Sequence, residues 1–262
     1  RNDPSLSFQL PEPLKYDPVE KTLEKTWLEG KRASVSYFLL PEWLSGYFYR
    51  VTPSHYVKEA SDFLLWLHSL KPAMKHIDSE AIQSRYISWM KGVLGQCRHE
   101  ELIDEKNAEK IEEATDTISK LKDWGPVSII HGDFKTQNVL IAKRGLAVID
   151  FESIRQDFSY LDLARFLSNI KLRVSKYRFF KESFINDLTT IFLGHYEETR
   201  GEIDKKALGA CFLPSLTLEL QSILGVYLNK KGSSILPKRI SLFLLKRNLN
   251  YVLREITPLG TD

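Results

Sequence analysis

A short polar loop between apolar segments constrains this chain more than any other feature. The loop is His131-Gly-Asp-Phe-Lys-Thr-Gln-Asn138, and it follows the apolar run Val127–Ile130. Two further apolar runs, Val139–Ile141 and Leu146–Ile149, come after it and are separated by Lys143-Arg-Gly145. Short runs of branched residues around a turn-forming glycine are typical of strands joined in a hairpin. The sequence therefore predicts a loop that projects from the ends of strands.

The polar side chains of this region have the chemistry that phosphoryl transfer requires. Such a reaction needs a carboxylate to orient or deprotonate the accepting hydroxyl, oxygen ligands for Mg²⁺, and positive charge near the transferred group. Asp133 suits the first role, and Lys135 suits the third. Asn138 suits the second together with Asp150, which the hairpin would return to the same end of the sheet. Asn and Asp are also common in turns, so these residues alone leave a purely structural loop open.

Composition excludes several classes of protein. The 262 residues are 43% hydrophobic and 27% charged, which is ordinary for a globular protein and excludes disordered and collagen-like chains. Apolar runs such as Phe63–Leu67 and Leu242–Leu245 are far shorter than the roughly 20 residues of a membrane span, and no secretory signal pattern is present. We therefore expect a cytoplasmic protein without a membrane span. A formal net charge of +3 is too small to argue for nucleic acid, so no nucleic-acid partner is expected.

Hydrophobic periodicity predicts a chain that is mostly helical outside the loop region. Residues 1 to 16 have room for at most one short strand, and Asp17, Pro18 and Glu20 have the pattern of a helix start at 18–29. A strand is favoured at 33–40, and a turn-rich connector at 41–46. Further helices are predicted at 54–70, capped by Ser54, and at 79–96, 100–123, 159–170, 174–199, 204–228 and 237–256.

Cys97 and Cys211 lack metal-ligand spacing and are expected to be buried thiols.

The order and spacing of the loop motif resemble one family. His-Gly-Asp-x-x-x-x-Asn, followed by Ile149-Asp-Phe-Glu152, is similar to the catalytic core of the aminoglycoside phosphotransferase and choline kinase group of small-molecule kinases. The resemblance implies an α+β, protein-kinase-like fold with two lobes. Residues 1–46 would form a short or incomplete N-terminal lobe and hinge, and residues 47–262 a mainly helical C-terminal catalytic and substrate lobe.

The resemblance also implies roles for the motif residues. Asp133 would be the catalytic base, Asn138 and Asp150 the Mg²⁺ ligands, and His131 a support of the loop. Lys135 falls where protein kinases often have a lysine that contacts phosphate. Protein kinases have Asp-Phe-Gly where this chain has Asp-Phe-Glu, so Glu152 favours the small-molecule branch.

Two more segments extend the resemblance to about residues 17–170. Leu39-Leu-Pro-Glu-Trp-Leu-Ser-Gly46 is similar to the hinge of these kinases, which implies that the backbone near Glu42 and Leu44 binds adenine. Asp162 in Tyr-Leu-Asp-Leu-Ala resembles the aspartate that anchors the catalytic loop from the following helix.

The N-terminal segment departs from the family pattern. Family members have a lysine on a strand, paired with a glutamate on a helix, and this lysine positions the α- and β-phosphates. The predicted helix offers Glu20 or Glu24, but Lys15 is a poor substitute for the lysine because it stands in a proline-rich context. The small lobe is either reduced or partly outside this sequence.

Two functional hypotheses follow. The first is a kinase that uses ATP and Mg²⁺ to phosphorylate a hydroxyl of a small molecule, such as an aminoglycoside-, choline-, thiamine- or sugar-like acceptor. The second is a catalytically impaired pseudokinase or nucleotide-binding interaction module. The acidic residues Glu197, Glu198, Glu202 and Asp204 would suit a cationic acceptor, but an exposed helix end explains them equally well. The acceptor, the choice between ATP and GTP, and the oligomeric state stay open.

Overall fold

The computed structural model of the chain describes residues 8–11, 13–17, 22–25, 28–33, 37–38, 42–71, 78–143, 145–174 and 182–231. The chain divides into two compact units. The first unit comprises Arg1–Lys71, Ser128–Arg155 and Asn169–Ile203, and the second comprises Pro72–Val127, Gln156–Ser168 and Asp204–Asp262. The boundary predicted at residue 46 stays a prediction.

A four-stranded sheet in the first unit supports the polar loop. Its strands are β1 (Phe8–Gln9), β4 (Gly30–Arg32), β6 (Val139–Ala142) and β7 (Leu146–Val148), in the order β1-β7-β6-β4. The first pair is parallel, and the other two pairs are antiparallel. The predicted hairpin is β6–β7, and Gly145 forms its turn with a φ of 71° that few residues other than glycine adopt. Because every residue of β7 is buried, the sheet fixes the hairpin firmly.

The predicted helix at 18–29 is wrong where the structure describes it. Strand β2 (Pro13–Asp17) pairs with β3 (Thr22–Lys25) in an antiparallel two-stranded sheet, and Asp17 lies opposite Thr22. The residues that cap a helix also form turns, so Asp17 and Pro18 carry an ambiguous signal. A spacing of four residues is ambiguous too, because it keeps side chains on one face of a helix or of a strand. Glu24 therefore lies on a strand, where it is the cross-strand partner of Lys15.

The expectations for residues 33–46 are also corrected. Tyr37 and Phe38 are helical, whereas a strand was predicted at 33–40; residues 34–36 and 39–40 lie outside the described part. Helix α1 (Glu42–Tyr49) replaces the predicted turn-rich connector. Gly46 is accommodated within the helix. Tyr37 is fully buried, and its hydroxyl donates to Val51 O at 3.1 Å.

Two long helices pack together in the first unit. They are α2 (Pro53–Ser69), as predicted, and α6 (Glu182–Arg200), which is part of the helix predicted at 174–199. Thr52, rather than Ser54, caps α2: its side chain accepts a hydrogen bond from His55 N, and Pro53 takes the first helical position. Phe63 of α2 is fully buried and stacks on Phe134 of the polar loop, with ring centroids 5.3 Å apart and planes 14° apart. The loop is therefore anchored to the core of this unit.

The second unit is a helical assembly built on α3 (Ser79–His99), α4 (Glu105–Ser119) and α7 (Lys205–Lys231). Asp78 and Asp104 cap α3 and α4. Ala108, Ile111, Ala114 and Ile118 form a buried apolar stripe on α4, which lies within the helix predicted at 100–123, while Leu121 lies beyond the helix and is half-buried. Trp124 is fully buried and donates from Nε1 to Ile118 O at 3.2 Å.

Four further elements lie between α4 and α6 in the chain, besides the β6–β7 hairpin. They are β5 (Val127–Ile130), a 3₁₀ turn (Phe151–Ser153), β8 (Arg155–Phe158) and α5 (Tyr160–Val174), of which the turn and β8 were not predicted. The helix predicted at 237–256 lies outside the described residues.

Within the described part, the segment Lys205–Val226 of α7 is long and apolar enough to cross a membrane by length and composition alone. Because 61% of its apolar window is buried inside the protein, it has the character of a core helix.

Both cysteines are predicted to be unreactive in the folded protein. Cys97 and Cys211 are buried, as expected from the sequence, and burial raises the pKa of the Cys97 thiol to about 11 and that of Cys211 well above its usual range. Thiolate, which is the reactive form, is therefore scarce at pH 8. We expect no reaction with Ellman's reagent in buffer and two equivalents in guanidinium chloride. A Ser119→Cys variant, with a thiol at an exposed position, should give one rapid equivalent. Rapid reaction of the unmodified native chain would contradict this packing.

Candidate active site

A backbone hydrogen bond joins the two ends of the candidate site. Val139 pairs with Val148 in the hairpin, and beyond this pair Ile149 N donates to Asn138 O at 3.0 Å. The bond places Asn138 beside Ile149, so Asp150 follows at the end of the hairpin that carries the loop. The hairpin thus joins the last residue of one sequence motif to the first residues of the other.

The ring of His131 provides a second connection. His131 is fully buried, and its Nε2 lies 3.0 Å from Ile149 O, while Asp133 N donates to its Nδ1 at 3.4 Å. A carbonyl oxygen can only accept, so Nε2 carries the proton and the neutral ring satisfies both partners. This geometry fits the supporting role that the family resemblance implies for His131.

Asp133, Lys135 and Asn138 form one polar cluster. Asn138 Nδ2 donates to the main-chain oxygen of Asp133 at 3.0 Å and to its Oδ2 at 3.2 Å. Lys135 Nζ forms an ion pair with the same Oδ2. The side chains of Asp133 and Lys135 are 22% and 25% exposed, whereas Asn138 is buried. The carboxylate is therefore held in a fixed orientation and still reaches solvent.

The residues proposed as Mg²⁺ ligands have suitable chemistry. Since Nδ2 of Asn138 bonds to Asp133, the amide presents Oδ1 as the atom that can ligate a cation, and Asp150 adds a half-buried carboxylate. Among the described residues, no group of three or more His, Cys, Asp or Glu side chains could hold a metal. Magnesium usually takes only one or two protein carboxylates and fills its shell with water and phosphate oxygens, so an Asn–Asp pair fits this ion.

Asp150 has a left-handed backbone conformation. Its φ of 69° and ψ of 58° are uncommon for a residue other than glycine, although Asp and Asn tolerate this region better than most. The 3₁₀ turn begins directly after it. This conformation reverses the chain at the end of the hairpin and keeps Asp150 at the site.

Gly132 is required for the close approach of two segments. Its φ is 79°, and a Cβ added there would overlap the carbonyl oxygen of Ser153 and Nη1 of Arg155. A backbone carbonyl cannot move aside cheaply, so the residue before Asp133 must be glycine. The loop and the turn after Asp150 are consequently in direct contact.

The sequence profile of the phosphotransferase enzyme family that includes the aminoglycoside phosphotransferases matches residues 5–200, about three-quarters of the chain. The chain belongs to this phosphotransferase family. None of the functionally curated proteins matches the chain by sequence.

Solved structures show the fold at low sequence identity. The streptomycin-ATP-APH(2'')-IIa ternary complex is 15% identical, with a TM-score of 0.57, and the match covers 98% of this chain and 78% of that one. Choline kinase from Cryptosporidium parvum Iowa II is 15% identical, with a TM-score of 0.55 and coverage of 96% and 76%. A GDP complex of a mutant aminoglycoside 2'-phosphotransferase-IIIa is 13% identical, with a TM-score of 0.59 and coverage of 93% and 75%. The predicted α+β, protein-kinase-like fold with a short N-terminal lobe and a mainly helical C-terminal lobe is confirmed.

The structure of this phosphotransferase-family chain reveals a loop anchor that the sequence did not indicate. Asn169 of α5 accepts two hydrogen bonds at Oδ1, from Thr136 N at 3.2 Å and from Thr136 Oγ1 at 2.7 Å. Thr136 is fully buried and Asn169 is 4% exposed, so water does not compete for these bonds. Asp162, which the resemblance implies as the anchor, is buried two turns earlier on the same helix, and its role stays a prediction.

The residues expected at the adenine hinge lie in the first turn of α1. The first four N–H groups of a helix have no partner within the helix, so a helical backbone at Glu42 and Leu44 can still donate to a ligand. Adenine binding at these two residues stays a prediction.

Two acidic residues considered for a cationic acceptor have structural roles instead. Asp204 Oδ1 accepts from Lys206 N at 2.8 Å and Ala207 N at 3.1 Å, which caps α7, and Glu197 Oε1 accepts from Ile203 N at 3.1 Å. Glu198 lies 3.5 Å from His195, whose Nε2 is 2.7 Å from Asp62. These contacts favour the explanation by a helix end.

The Thr136–Asn169 contact should contribute to stability as a coupled pair. Asn169→Leu removes the acceptor of Thr136 N and the nearer acceptor of the Thr136 hydroxyl, which keeps only the longer contact with Gln137 Oε1 at 3.4 Å. We expect this loss to cost about 1–3 kcal/mol in the free energy of unfolding. Thr136→Val removes one donor, and the double variant should lose less than the sum of the two single variants because the partners are in contact. Urea titrations of the four proteins measure this coupling.

Thr115→Val is the matched control for this cycle. Thr115 is equally buried, but its hydroxyl donates to Ile111 O of its own helix at 2.7 Å. Its effect should therefore add to that of Asn169→Leu without coupling. Additivity of Thr136→Val with Asn169→Leu would show that the contact does not anchor the loop.

Proposed function

We propose that this chain is a phosphotransferase that moves the γ-phosphate of ATP to a hydroxyl group of a small molecule, with Mg²⁺ as cofactor. The observation that carries the proposal is the Asp133 carboxylate, which is oriented by Asn138, paired with Lys135 and still reaches solvent. Membership of the phosphotransferase enzyme family supports it.

Asp133 is proposed to act on the acceptor hydroxyl. Its carboxylate would accept a hydrogen bond from the hydroxyl, orient the oxygen for in-line attack on the phosphorus, and take up the proton as the bond to phosphorus forms. Lys135 would lend positive charge to the transferred group. Its ion pair with Asp133 holds the ammonium group beside the carboxylate that would bind the acceptor hydroxyl.

Asn138 and Asp150 are proposed to hold the metal. A Mg²⁺ ion held there would supply positive charge to offset the negative charge of the phosphates during transfer. The protein's own contribution is to fix the two ligands. Asn138 is fixed by its bonds to Asp133 and Ile149, and Asp150 by the hairpin and the backbone reversal at its own position.

The nucleotide is proposed to bind through the backbone near Glu42 and Leu44. ATP is the expected donor, and a neighbour of the same fold was solved with streptomycin and ATP. Another neighbour was solved with GDP, so GTP belongs in the same assay. Adenine and guanine can both accept hydrogen bonds from N–H groups at the start of a helix. Turnover measured with ATP and with GTP decides between the two donors.

The acceptor is proposed to be an aminoglycoside-, choline-, thiamine- or sugar-like alcohol. Related folds include a streptomycin complex and a choline kinase, which makes cationic alcohols a reasonable first group. However, Asp204 and Glu197 bond to backbone N–H groups here, so these two residues offer little to a cationic acceptor. Neutral sugars and their derivatives therefore have equal priority in the panel.

One observation favours a second candidate, a catalytically impaired nucleotide-binding module. Lys15 lies in the β2–β3 sheet, which is separate from the four-stranded sheet that supports the catalytic loop. If this segment supplies no lysine to the phosphates, nucleotide would bind without efficient transfer. Nucleotide binding by the wild-type chain without consumption of ATP or GTP over the whole panel would support this alternative.

Asp133→Asn and Asp150→Asn should abolish most phosphate transfer while the protein stays folded. Loss of the base alone removes about 10²–10⁴-fold in kcat, and Asn preserves side-chain size and tolerates the left-handed backbone at residue 150. Phosphate transfer is measured as ADP or GDP formation with each acceptor, and folding by circular dichroism and thermal unfolding.

Asp116→Asn is the matched control for these variants. Asp116 is 57% exposed and pairs with Lys91 at the protein surface, where such a pair contributes about 0–1 kcal/mol. We expect wild-type turnover from this variant. Full turnover in Asp133→Asn would refute the assignment of the base.

A further inference from the structure

Arg155 packs against the catalytic loop at the residue before Asp133. Its Nη1 occupies space that a Cβ of residue 132 would need, and the same nitrogen donates to Ser153 O at 3.0 Å. The guanidinium therefore lies across the turn Phe151–Ser153 and touches the loop backbone at Gly132. Nothing in the motif or in the family resemblance indicated this residue.

The contact joins the two segments that carry the candidate chemistry. Asp133 follows Gly132 on one segment, and Asp150 precedes the 3₁₀ turn on the other. The bonds of Ile149 to Asn138 and His131 hold these segments together on the hairpin side of Asp150. Beyond Asp150, the chain reverses in a short 3₁₀ turn, which has poorer hydrogen-bond geometry than an α-helix. Arg155 and Ser153 supply a contact with the loop on this far side of Asp150.

We propose that Arg155 is a positioning residue that holds the turn after Asp150 against Gly132 and thereby fixes Asp150 relative to Asp133. The proposal rests on the proposed function, because the distance between a base and a metal ligand matters only if both act in one reaction. A misplacement of about 1 Å in such a site can lower the rate about 10²-fold.

The chemistry of arginine suits this position. A guanidinium is planar, stays charged, and presents several N–H donors in a rigid fork, so it can lie flat over a peptide and bond to a carbonyl in its own plane. Lysine keeps the charge but carries its three N–H donors on one nitrogen at the end of a flexible stem. Methionine keeps most of the side-chain length and removes both charge and donors.

The test compares Arg155→Met and Arg155→Lys with the wild-type chain. We expect Arg155→Met to lower kcat about 10²-fold and to change KM for ATP much less, because Asp150 is displaced relative to Asp133 while the proposed adenine contacts near Glu42 and Leu44 lie outside the displaced turn. The kcat of Arg155→Lys should be about tenfold higher than that of Arg155→Met. Hydrogen exchange gives a readout that does not depend on activity: amides in 131–138 and 150–155 should exchange about fivefold faster in Arg155→Met, with those of α4 unchanged.

Arg98→Met is the matched control, since Arg98 of α3 is also partly buried and pairs with Glu105 and Glu112. This variant should have the kcat of the wild type and the same rate of amide hydrogen exchange in residues 131–138. Unchanged exchange at 131–138 in Arg155→Met overturns the proposal, and so does faster exchange with an unaltered kcat. If the wild-type chain transfers no phosphate, the proposed function fails, and the exchange data alone decide whether Arg155 orders the loop.

Discussion

The hydrogen bond from Ile149 N to Asn138 O is the interaction on which the candidate site depends. Asn138 ends the loop and Asp150 follows Ile149, so this one bond brings the two motifs of the sequence together across the hairpin. The β6–β7 register makes the bond possible. Because β7 is buried on both faces, a shift of that register would require apolar side chains to repack on both sides of the strand, which is costly. The chemistry of the site therefore rests on strand pairing.

Buried and half-exposed side chains alternate along the loop. Phe134, Thr136 and Asn138 are buried, whereas Asp133, Lys135 and Gln137 between them are half-exposed. The buried residues contact different parts of the first unit: Phe134 stacks on Phe63, and Thr136 bonds to Asn169. Because alternate residues are fixed, the side chains of Asp133, Lys135 and Gln137 between them have little freedom to change position. Such preorganisation is what a phosphoryl-transfer site requires of its protein.

Much of this site could be predicted from sequence, because the signals are local. The apolar runs and Gly145 predict the hairpin, and the hairpin implies that Asp150 returns to the loop. Asn169 and Arg155 could not be predicted, since their contacts with Thr136 and Gly132 depend on the packing of distant segments. The error at 18–29 has another cause. Asp17 and Pro18 start helices and form turns equally well, and only pairing of 22–25 with 13–17 decides between them.

Gly132 shows how a motif residue can be explained by a contact that the motif does not contain. A glycine before Asp133 could be attributed to its φ of 79° alone, which would leave Asn as an acceptable replacement. The positions of the Ser153 carbonyl and the Arg155 guanidinium exclude that replacement, because any Cβ would overlap them. Glycine is therefore required at position 132 because the turn after Asp150 packs against it. The residue at 132 is therefore set by the packing of the turn after Asp150, whereas the spacing between the two motifs is set by the β6–β7 hairpin.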